Sequence, residues 1–332
     1  MDPLGLVPLA RTLIDIDSTT GREGDCGRWL AAYLRGRGFG VEEQPVSDGR
    51  FNVLATLDPP AVVLSTHFDC VPPFFPSRQD GTLLHGRGAC DAKGILAAQV
   101  TAVERLRDEG VRHVGLLFVV GEERGSDGAR AANGLARDCR FLINGEPTDS
   151  RLGAATRGVL RVRLAATGRA AHSSYPESGE SAIEKLLDAL LRLRTLPLPE
   201  DSRLGRTHYT VGLMSGGVAP NVIPPYAEAE VMFRTVGSTA GLQPAFDALR
   251  EYVEPSIVLD VPAVALKTVP GFETAVFPFT TDIPFLSAWG TPLLFGPGSI
   301  LVAHTDHEHV AIGELDRSVG RYVELVRALS PG

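Results

Sequence analysis

Residues 62–94 read VVLSTHFDCVPPFFPSRQDGTLLHGRGACDAKG, and this stretch indicates how the chain folds. The apolar run at 62–64 stops abruptly at the polar segment STHFD. A continuous apolar run is typical of a strand buried on both faces, as in a helix-covered parallel sheet. Ligands of such sheets collect at the carboxyl ends of the strands, so we expect His67 and Asp69 to lie where ligands bind. Asp91 stands just before a helical pattern and is a third candidate.

Strand and helix patterns alternate on both sides of this stretch. We predict strands over residues 41–46, 52–57, 62–66, 114–120, 140–143 and 292–295. We predict helices over residues 4–16, 23–36, 92–108, 129–137, 281–289 and 314–329. Strands that alternate with helices favour βα units and a mostly parallel sheet.

The pattern changes near residue 157, where apolar and polar residues begin to alternate. Strands over 159–166, 207–214 and 227–235, with helices over 181–196 and 242–253, give a β-α-β-β-α-β order up to about residue 262. That order is typical of a ferredoxin-like unit. We therefore predict an α/β fold with a discontinuous domain over residues 1–156 and 266–332. An α+β domain over residues 157–265 is inserted in it.

The composition excludes several classes of protein. A net charge of -8 without a basic stripe argues against nucleic acid and anionic membranes as partners. Four cysteines without a CxxC pair are too few for a disulfide scaffold, and no apolar stretch approaches the ~20 residues that span a bilayer. The first residues lack the pattern of a signal peptide, so we expect a cytoplasmic protein.

Acidic and imidazole side chains follow four of the predicted strands. These residues are His67 and Asp69, the adjacent Glu122 and Glu123, Glu146, and His304. Oxygen and imidazole ligands without thiolates suit Zn²⁺ in a hydrolytic site. In a two-metal site one carboxylate bridges the ions, and a further carboxylate must accept a proton without being a ligand. Glu122 and Glu123 are well placed to divide those roles.

The motifs HFDCVP, GRGACDAKG, GEERGSDG, GEPT, RAAHSS and GPGSI…AH, in this order, resemble the two-zinc M20 metallopeptidase family. The resemblance covers nearly the whole chain. It implies that Asp91 bridges two zinc ions, and that the other ligands are His67 and Glu146 for one ion, Glu123 and His304 for the second. It also implies that the peptide bond after Asp91 is cis.

The resemblance gives further residues a role. Glu122 would be the general base, and Asp69 would accept a hydrogen bond from His67 and fix its tautomer. His172 would reach across a dimer to stabilise the oxyanion. Arg157, Asn221 and Arg234 lie near positions that the family uses for the substrate carboxylate. The inserted domain would then serve dimerisation and act as a lid over the zinc-hydrolase domain.

Each residue also has a plain structural interpretation. Asp91 could be a helix N-cap, Glu122-Glu123 a solvated strand end, and His172 a turn residue. Arg157 and Arg234 could form ordinary salt bridges. After His304, related deacetylases usually continue with an acidic pair and a tyrosine, but this chain reads TDHEH at residues 305–309. His307 or His309 could therefore compete with His304 as a ligand.

We therefore expect a metal-dependent hydrolase that cleaves the amide bond of an N-acyl amino acid, most similar to acetylornithine deacetylase. A water bridging two Zn²⁺, with Co²⁺ as a substitute, would attack while Glu122 acts as base. The alternatives are a desuccinylase-like enzyme, a small dipeptidase or carboxypeptidase, or a non-catalytic amino-acid-binding relative. We expect a homodimer, and a substrate that is free or attached to a carrier protein.

Overall fold

A computed structural model describes residues 4–136 and 138–330 of the chain. The chain divides into two compact units. The first unit comprises Met1–Ala154, Leu266–Ala275 and Thr281–Gly332, and the second comprises Ala155–Ala265 and Val276–Thr280.

The helices are α1 (Leu6–Ile14), α2 (Gly24–Gly36), α3 (Lys93–Asp108), α4 (Asp127–Ala132), α5 (Ala182–Leu193), α6 (Gln243–Leu249) and α7 (Ile312–Leu329). The strands are β1 (Gly40–Ser47), β2 (Arg50–Thr56), β3 (Val62–His67), β4 (Arg78–Asp80), β5 (Leu83–His85), β6 (Val114–Val119), β7 (Phe141–Asn144), β8 (Leu152–Thr156), β9 (Gly158–Thr167), β10 (Glu200–Asp201), β11 (Gly205–Arg206), β12 (His208–Gly216), β13 (Tyr226–Thr235), β14 (Glu254–Val261), β15 (Val264–Ala265), β16 (Thr274–Phe277), β17 (Thr291–Leu294) and β18 (His309–Ala311).

The first unit contains a six-stranded sheet in the order β1-β2-β6-β3-β7-β17. The pairs β6/β3, β3/β7 and β7/β17 are parallel, and β1 and β2 run antiparallel at one edge. This mixed, mostly parallel sheet confirms the predicted α/β class. It also places the carboxyl ends of four strands side by side at one edge, where ligands of such sheets bind.

Both faces of this sheet are covered by apolar side chains. Along β3, Val62 and Leu64 belong to the cluster that also includes residues of α1, α3 and α7. Val63, which points to the opposite face, packs with residues of α4 and with Trp289. This two-sided burial explains the unbroken apolar runs of the sequence, because each successive side chain enters a core.

The second unit contains a four-stranded antiparallel sheet in the order β12-β13-β9-β14. With α5 after β9 and α6 after β13, the elements follow the β-α-β-β-α-β order of a ferredoxin-like unit. Apolar side chains of α5 and α6 pack on one face of the sheet, which is why buried residues alternate with less buried ones along β9 and β13.

The prediction of a helix over residues 281–289 is wrong. Two 3₁₀ turns, Ile283–Phe285 and Ser287–Trp289, occupy this stretch. Pro284 lacks the N–H that a helix interior needs, and Gly290 ends the segment with a positive φ of 85°. Their apolar spacing still buries Leu286 and Trp289 under the sheet.

The predicted helices over residues 129–137 and 242–253 are shorter in the structure. The first is α4 followed by a 3₁₀ turn at Asn133–Leu135, and Arg137 lies outside the described residues. The second is a 3₁₀ turn at Thr239–Leu242 that leads into α6. No described helix is both long enough and apolar enough to cross a bilayer.

Candidate metal centre

The candidate residues of the first unit gather at the carboxyl edge of the six-stranded sheet. His67 is the last residue of β3, and the loops after β6, β7 and β17 carry the rest, which are Glu122, Glu123, Glu146 and His304. The sequence predicts this gathering, since parallel strands end at the same edge. The site is therefore built on strand ends that the hydrophobic core holds in place.

Asp91 lies in the loop before α3 and faces two imidazoles at once. Its Oδ1 is 3.0 Å from Nε2 of His67, and its Oδ2 is 3.3 Å from Nε2 of His304. The same Nε2 of His304 lies 3.0 Å from a carboxylate oxygen of Glu123. The peptide bond between Asp91 and Ala92 is cis, as the sequence resemblance predicts. A carboxylate that offers one oxygen to each histidine suits a bridge between two cations.

The donor atoms at this site fit divalent cations. One ligand atom each from His67, Asp91 and Glu123 lies within 4.8 Å of the others. Oε1 of Glu146 is buried and has no hydrogen-bond partner among the described residues, so a cation would satisfy it. The set consists of imidazole nitrogens and carboxylate oxygens, without a thiolate. Zn²⁺ in a catalytic role takes such ligands.

The protonation of the cluster is strongly perturbed. Burial raises the pKa of Glu122 and Glu146 well above the usual range, and the charge of Glu146 adds to the effect on Glu122. Burial would also raise the pKa of Asp91, but hydrogen bonds from His304 and His67 bring it below its usual value. Hydrogen bonds to Asp91 and to Glu123 raise the pKa of His304 to about 10. Without a cation the site thus holds protons, which cation binding would release.

Asp69 is fully buried and organises two parts of the site. Nδ1 of His67 lies 3.0 Å from the backbone carbonyl of Asp69 and 3.4 Å from its carboxylate. The carboxylate accepts the backbone N–H groups of Glu122 and Glu123 at 3.1 and 3.2 Å, and the hydroxyl of Thr20 at 2.9 Å. Asp69 therefore contacts the ring of His67, a role that the sequence resemblance implies. It also orients the Glu122-Glu123 turn, a second role that the sequence does not reveal.

The other histidines near His304 have partners of their own. His307 is exposed, and its Nδ1 lies 2.9 Å from a carboxylate oxygen of Asp306. Nδ1 of His309 lies 2.8 Å from the carbonyl of His307, and its ring is next to His85. His304 is the histidine of this segment that faces Asp91.

The remaining candidates belong to the second unit. His172 is exposed, and its Nδ1 accepts the N–H of Ser174 at 3.2 Å, while the backbone carbonyl of Asn221 accepts the N–H of Ser173 at 3.0 Å. An Nη of Arg157 donates to Nδ1 of His208 at 3.2 Å. Arg234 lies opposite His208 in the sheet and is half-buried.

The guanidinium of Arg234 has no hydrogen-bond or ion-pair partner within the part of the chain that the structure describes, although its backbone pairs in the sheet. Burial lowers its pKa, because the guanidinium loses water without gaining an anion. Arg157 and Arg234 thus stand at one end of the second unit's sheet, and neither guanidinium forms an ion pair with a carboxylate of the described residues.

Two further acidic residues of the first unit are buried, and neither is among the site residues predicted from the sequence. Asp282 is 1% exposed, and burial raises its pKa to about 7. Glu308 is fully buried and contacts the loop that carries Asp91. Neither follows a predicted strand, and the sequence offers no local signal for them.

Comparison with known proteins identifies the family of the chain. The family described as Peptidase family M20/M25/M40 matches residues 63–328. A Peptidase M20 domain-containing protein of Schizosaccharomyces pombe is 38% identical, over 97% of this chain and 84% of the relative. A probable carboxypeptidase of Aspergillus clavatus is 36% identical, over 97% of this chain and 82% of the relative.

Solved structures share the fold. A tripeptidase from Staphylococcus aureus superposes with a TM-score of 0.83 at 20% identity, over 98% of this chain and 97% of its own. A dinuclear metal-binding peptidase of the M20 family from Bacillus subtilis gives a TM-score of 0.72 at 16% identity, over 98% and 96% of the two chains. The family match over most of the chain, together with these relatives, shows that the protein belongs to peptidase family M20/M25/M40 and is a metallopeptidase.

Proposed function

We propose that this metallopeptidase removes a residue with a free carboxylate from a small peptide, using two divalent cations, normally Zn²⁺. The observation that carries the proposal is Asp91, whose two carboxylate oxygens face His67 and His304 separately. The ligands would be His67, Asp91 and Glu146 for one ion, and Asp91, Glu123 and His304 for the other. Bound cations of this kind polarise a carbonyl and make water more acidic.

Glu122 is the residue that we assign as general base. It follows Gly121 at the end of β6, and its backbone is held by the carboxylate of Asp69. The burial that raises its pKa makes its carboxylate a better proton acceptor than a solvated glutamate. After taking a proton from water, the same carboxyl group would deliver it to the leaving amine.

The substrate carboxylate would bind in the second unit. Arg234 has a half-buried guanidinium that lacks an anionic partner among the described residues. Arg157 provides a second guanidinium, which donates to His208. A planar guanidinium suits bidentate binding of a carboxylate. We assign Asn221 the neighbouring polar contact, since its backbone pairs with the segment of His172.

An N-acyl amino acid is the second candidate substrate. It shares the free carboxylate and the amide bond with a peptide, and the sequence Gly296–Ile300 followed by Ala303-His304 favours an acetylornithine deacetylase-like specificity. The comparisons do not support that narrower specificity. The name of the fungal relative favours a carboxypeptidase, which is why the peptide is the first candidate.

We predict that metal-free protein releases no amine from any amide, and that added Zn²⁺ or Co²⁺ restores hydrolysis of one substrate class. The panel contains dipeptides, tripeptides, N-acetyl and N-succinyl amino acids, with amine release as the readout. Each peptide is paired with its C-terminal amide as the matched control, and we expect the free acid to be preferred at least about tenfold, the equivalent of one hydrogen bond to a charged group. Equal rates for acid and amide would contradict the carboxylate-binding role of the arginines.

We also propose that the protein is a homodimer formed through the second unit. β12 is an edge strand of the four-stranded sheet and exposes Val211, Leu213 and Met214. On α5, Leu187 and Leu191 are exposed as well. An edge strand next to exposed apolar side chains is a surface that a second copy can cover.

Dimerisation would let His172 of one subunit serve the site of its partner. The N–H of Ser174 donates to Nδ1 of His172, which leaves the proton of the neutral ring on Nε2. That Nε2–H would be free to donate to the oxyanion of the tetrahedral intermediate.

Subunit mixing tests this role of His172. His172→Ala and Glu122→Gln should each be inactive alone, but a mixed population of dimers should recover about a quarter of wild-type activity, because one site in each mixed dimer has both residues intact. Activity assays before and after subunit exchange, with sedimentation to verify the dimer, give the result. No recovery in verified mixed dimers would mean that His172 acts in its own subunit or not at all.

We further propose a cytoplasmic location. All four cysteines are buried free thiols, which suits a reducing compartment.

A further inference from the structure

The loop that carries Asp91 is held by a buried carboxylate from a distant part of the chain. Glu308 is 0% exposed, and its Oε1 accepts three backbone N–H groups of this loop. The donors are Gly88 at 3.0 Å, Cys90 at 3.1 Å and Asp91 itself at 3.0 Å. Three donors that converge on one oxygen fix the local course of the backbone, because each bond constrains a different peptide unit.

The second oxygen of Glu308 is anchored independently. Oε2 accepts a hydrogen bond from an Nη of Arg87 at 2.6 Å, and the side chain of Arg87 is 2% exposed. Arg87 also donates through Nε to the carbonyl of Pro73 at 3.2 Å and lies over the ring of Phe75. The carboxylate therefore cannot rotate away from the loop without breaking a buried, charge-assisted pair.

Glu308 also belongs to the segment that follows His304. Glu308 follows His304 by four residues and stands just before β18, which pairs with β5. β5 leads directly into the Asp91 loop. The segment formed by Glu308 and β18 thus contacts both loops. We expect it to set the distance between the carboxylate of Asp91 and the ring of His304.

We infer that Glu308 is a positioning residue of the metal centre, whose carboxylate, anchored by Arg87, sets the placement of Asp91 relative to His304. The inference rests on the proposed metal centre. A buried ion pair that only stabilised the fold would not need its contacts to concentrate on one loop, yet three of the four hydrogen bonds of this carboxylate go to residues 88–91.

The experiment is a titration of metal-free protein with Co²⁺, followed by the visible absorption spectrum and by the number of ions bound. In Glu308→Gln the amide would turn a donor toward either Arg87 or the loop N–H groups. We expect a loss of about 10–100-fold in affinity for at least one ion, as for other partners of metal ligands, and a changed spectrum. Glu308→Asp keeps the negative charge, but its side chain is one methylene shorter and cannot reach both the loop and Arg87. It should therefore show the same loss of Co²⁺ affinity.

Glu104→Gln is the matched control. Glu104 forms a largely buried ion pair with Arg37 in the same unit, at 2.5 Å, without contacting the Asp91 loop. It should lower the thermal unfolding midpoint while leaving the Co²⁺ affinity and spectrum unchanged. If Glu308→Gln does not fold, Arg87→Lys is tested in its place, again by Co²⁺ affinity and by the visible spectrum.

Two results would overturn the inference. The first is a Glu308→Gln protein that binds two Co²⁺ with wild-type affinity and spectrum, or that loses no more affinity than Glu104→Gln. The second is a Glu308→Asp protein with wild-type affinity, since charge alone would then suffice. Wild-type protein that binds two ions but hydrolyses no substrate would contradict the proposed function and leave this inference standing.

Discussion

Replacing Glu122 with glutamine should lower kcat by about 10²–10⁴-fold, the usual contribution of a general base, while the protein keeps both metal ions. The amide has nearly the same shape as the carboxylate but cannot accept a proton from water. The backbone N–H of residue 122 would still donate to Asp69, so the turn should stay in place. Steady-state kinetics and metal analysis of the same preparation measure the two quantities.

The neighbouring Glu123→Gln variant is the control for this assignment. The carboxylate of Glu123 faces Nε2 of His304 at 3.0 Å and belongs to the group of ligand atoms around Asp91. Its replacement should therefore reduce the metal content first, and activity as a consequence. Glu122→Gln protein with reduced metal content, and Glu123→Gln protein with full content, would show that the two roles are exchanged.

The sequence predicts the strand-end part of the site because that part is encoded locally. A buried parallel strand is a contiguous apolar run, and the polar residue that ends it is adjacent in sequence. His67 after 62–66 and Glu122 after 114–120 follow this rule, and the structure places both at one sheet edge.

Residues that act across long sequence separations escape such reasoning. Arg87 and Glu308 are 221 residues apart, and the pairing of β5 with β18 that joins them involves three residues on each strand. Strands this short carry no readable period. The carboxylate of Asp69 likewise reaches Glu122 across 53 residues, so its second role appears only when the strands are assembled.

The error over residues 281–289 has a different origin. Apolar side chains such as Leu286 and Trp289 recur at a spacing of three, which suits a 3₁₀ turn as well as an α-helix. Pro284 disfavours an α-helix here, since proline lacks the N–H donor that a helix interior needs. The burial of the segment could be predicted from its apolar content, but its backbone conformation could not.

Replacing Asp91 with asparagine should reduce activity by more than about 100-fold, the upper end of the cost of changing an outer-sphere partner, and leave at most one ion bound. One carboxylate oxygen of Asp91 faces His67 and the other faces His304. The amide of an asparagine has only one acceptor oxygen. Its NH₂ group would face the region of one cation. Metal stoichiometry by mass spectrometry and the rate of amine release measure both effects.

Asp127→Asn is a suitable control because it removes an aspartate charge from the same unit. Asp127 pairs with Arg50 and contacts neither histidine of the site, so this variant should retain two ions. Asp91→Asn protein that still binds two ions tightly would contradict the bridging role, and the carboxylate of Glu123, which also faces His304, would become the candidate bridge. If only Asp91→Asn loses bound ions, both ions depend on the carboxylate of Asp91. We expect this if hydrolysis needs the carbonyl and the attacking water to be activated together.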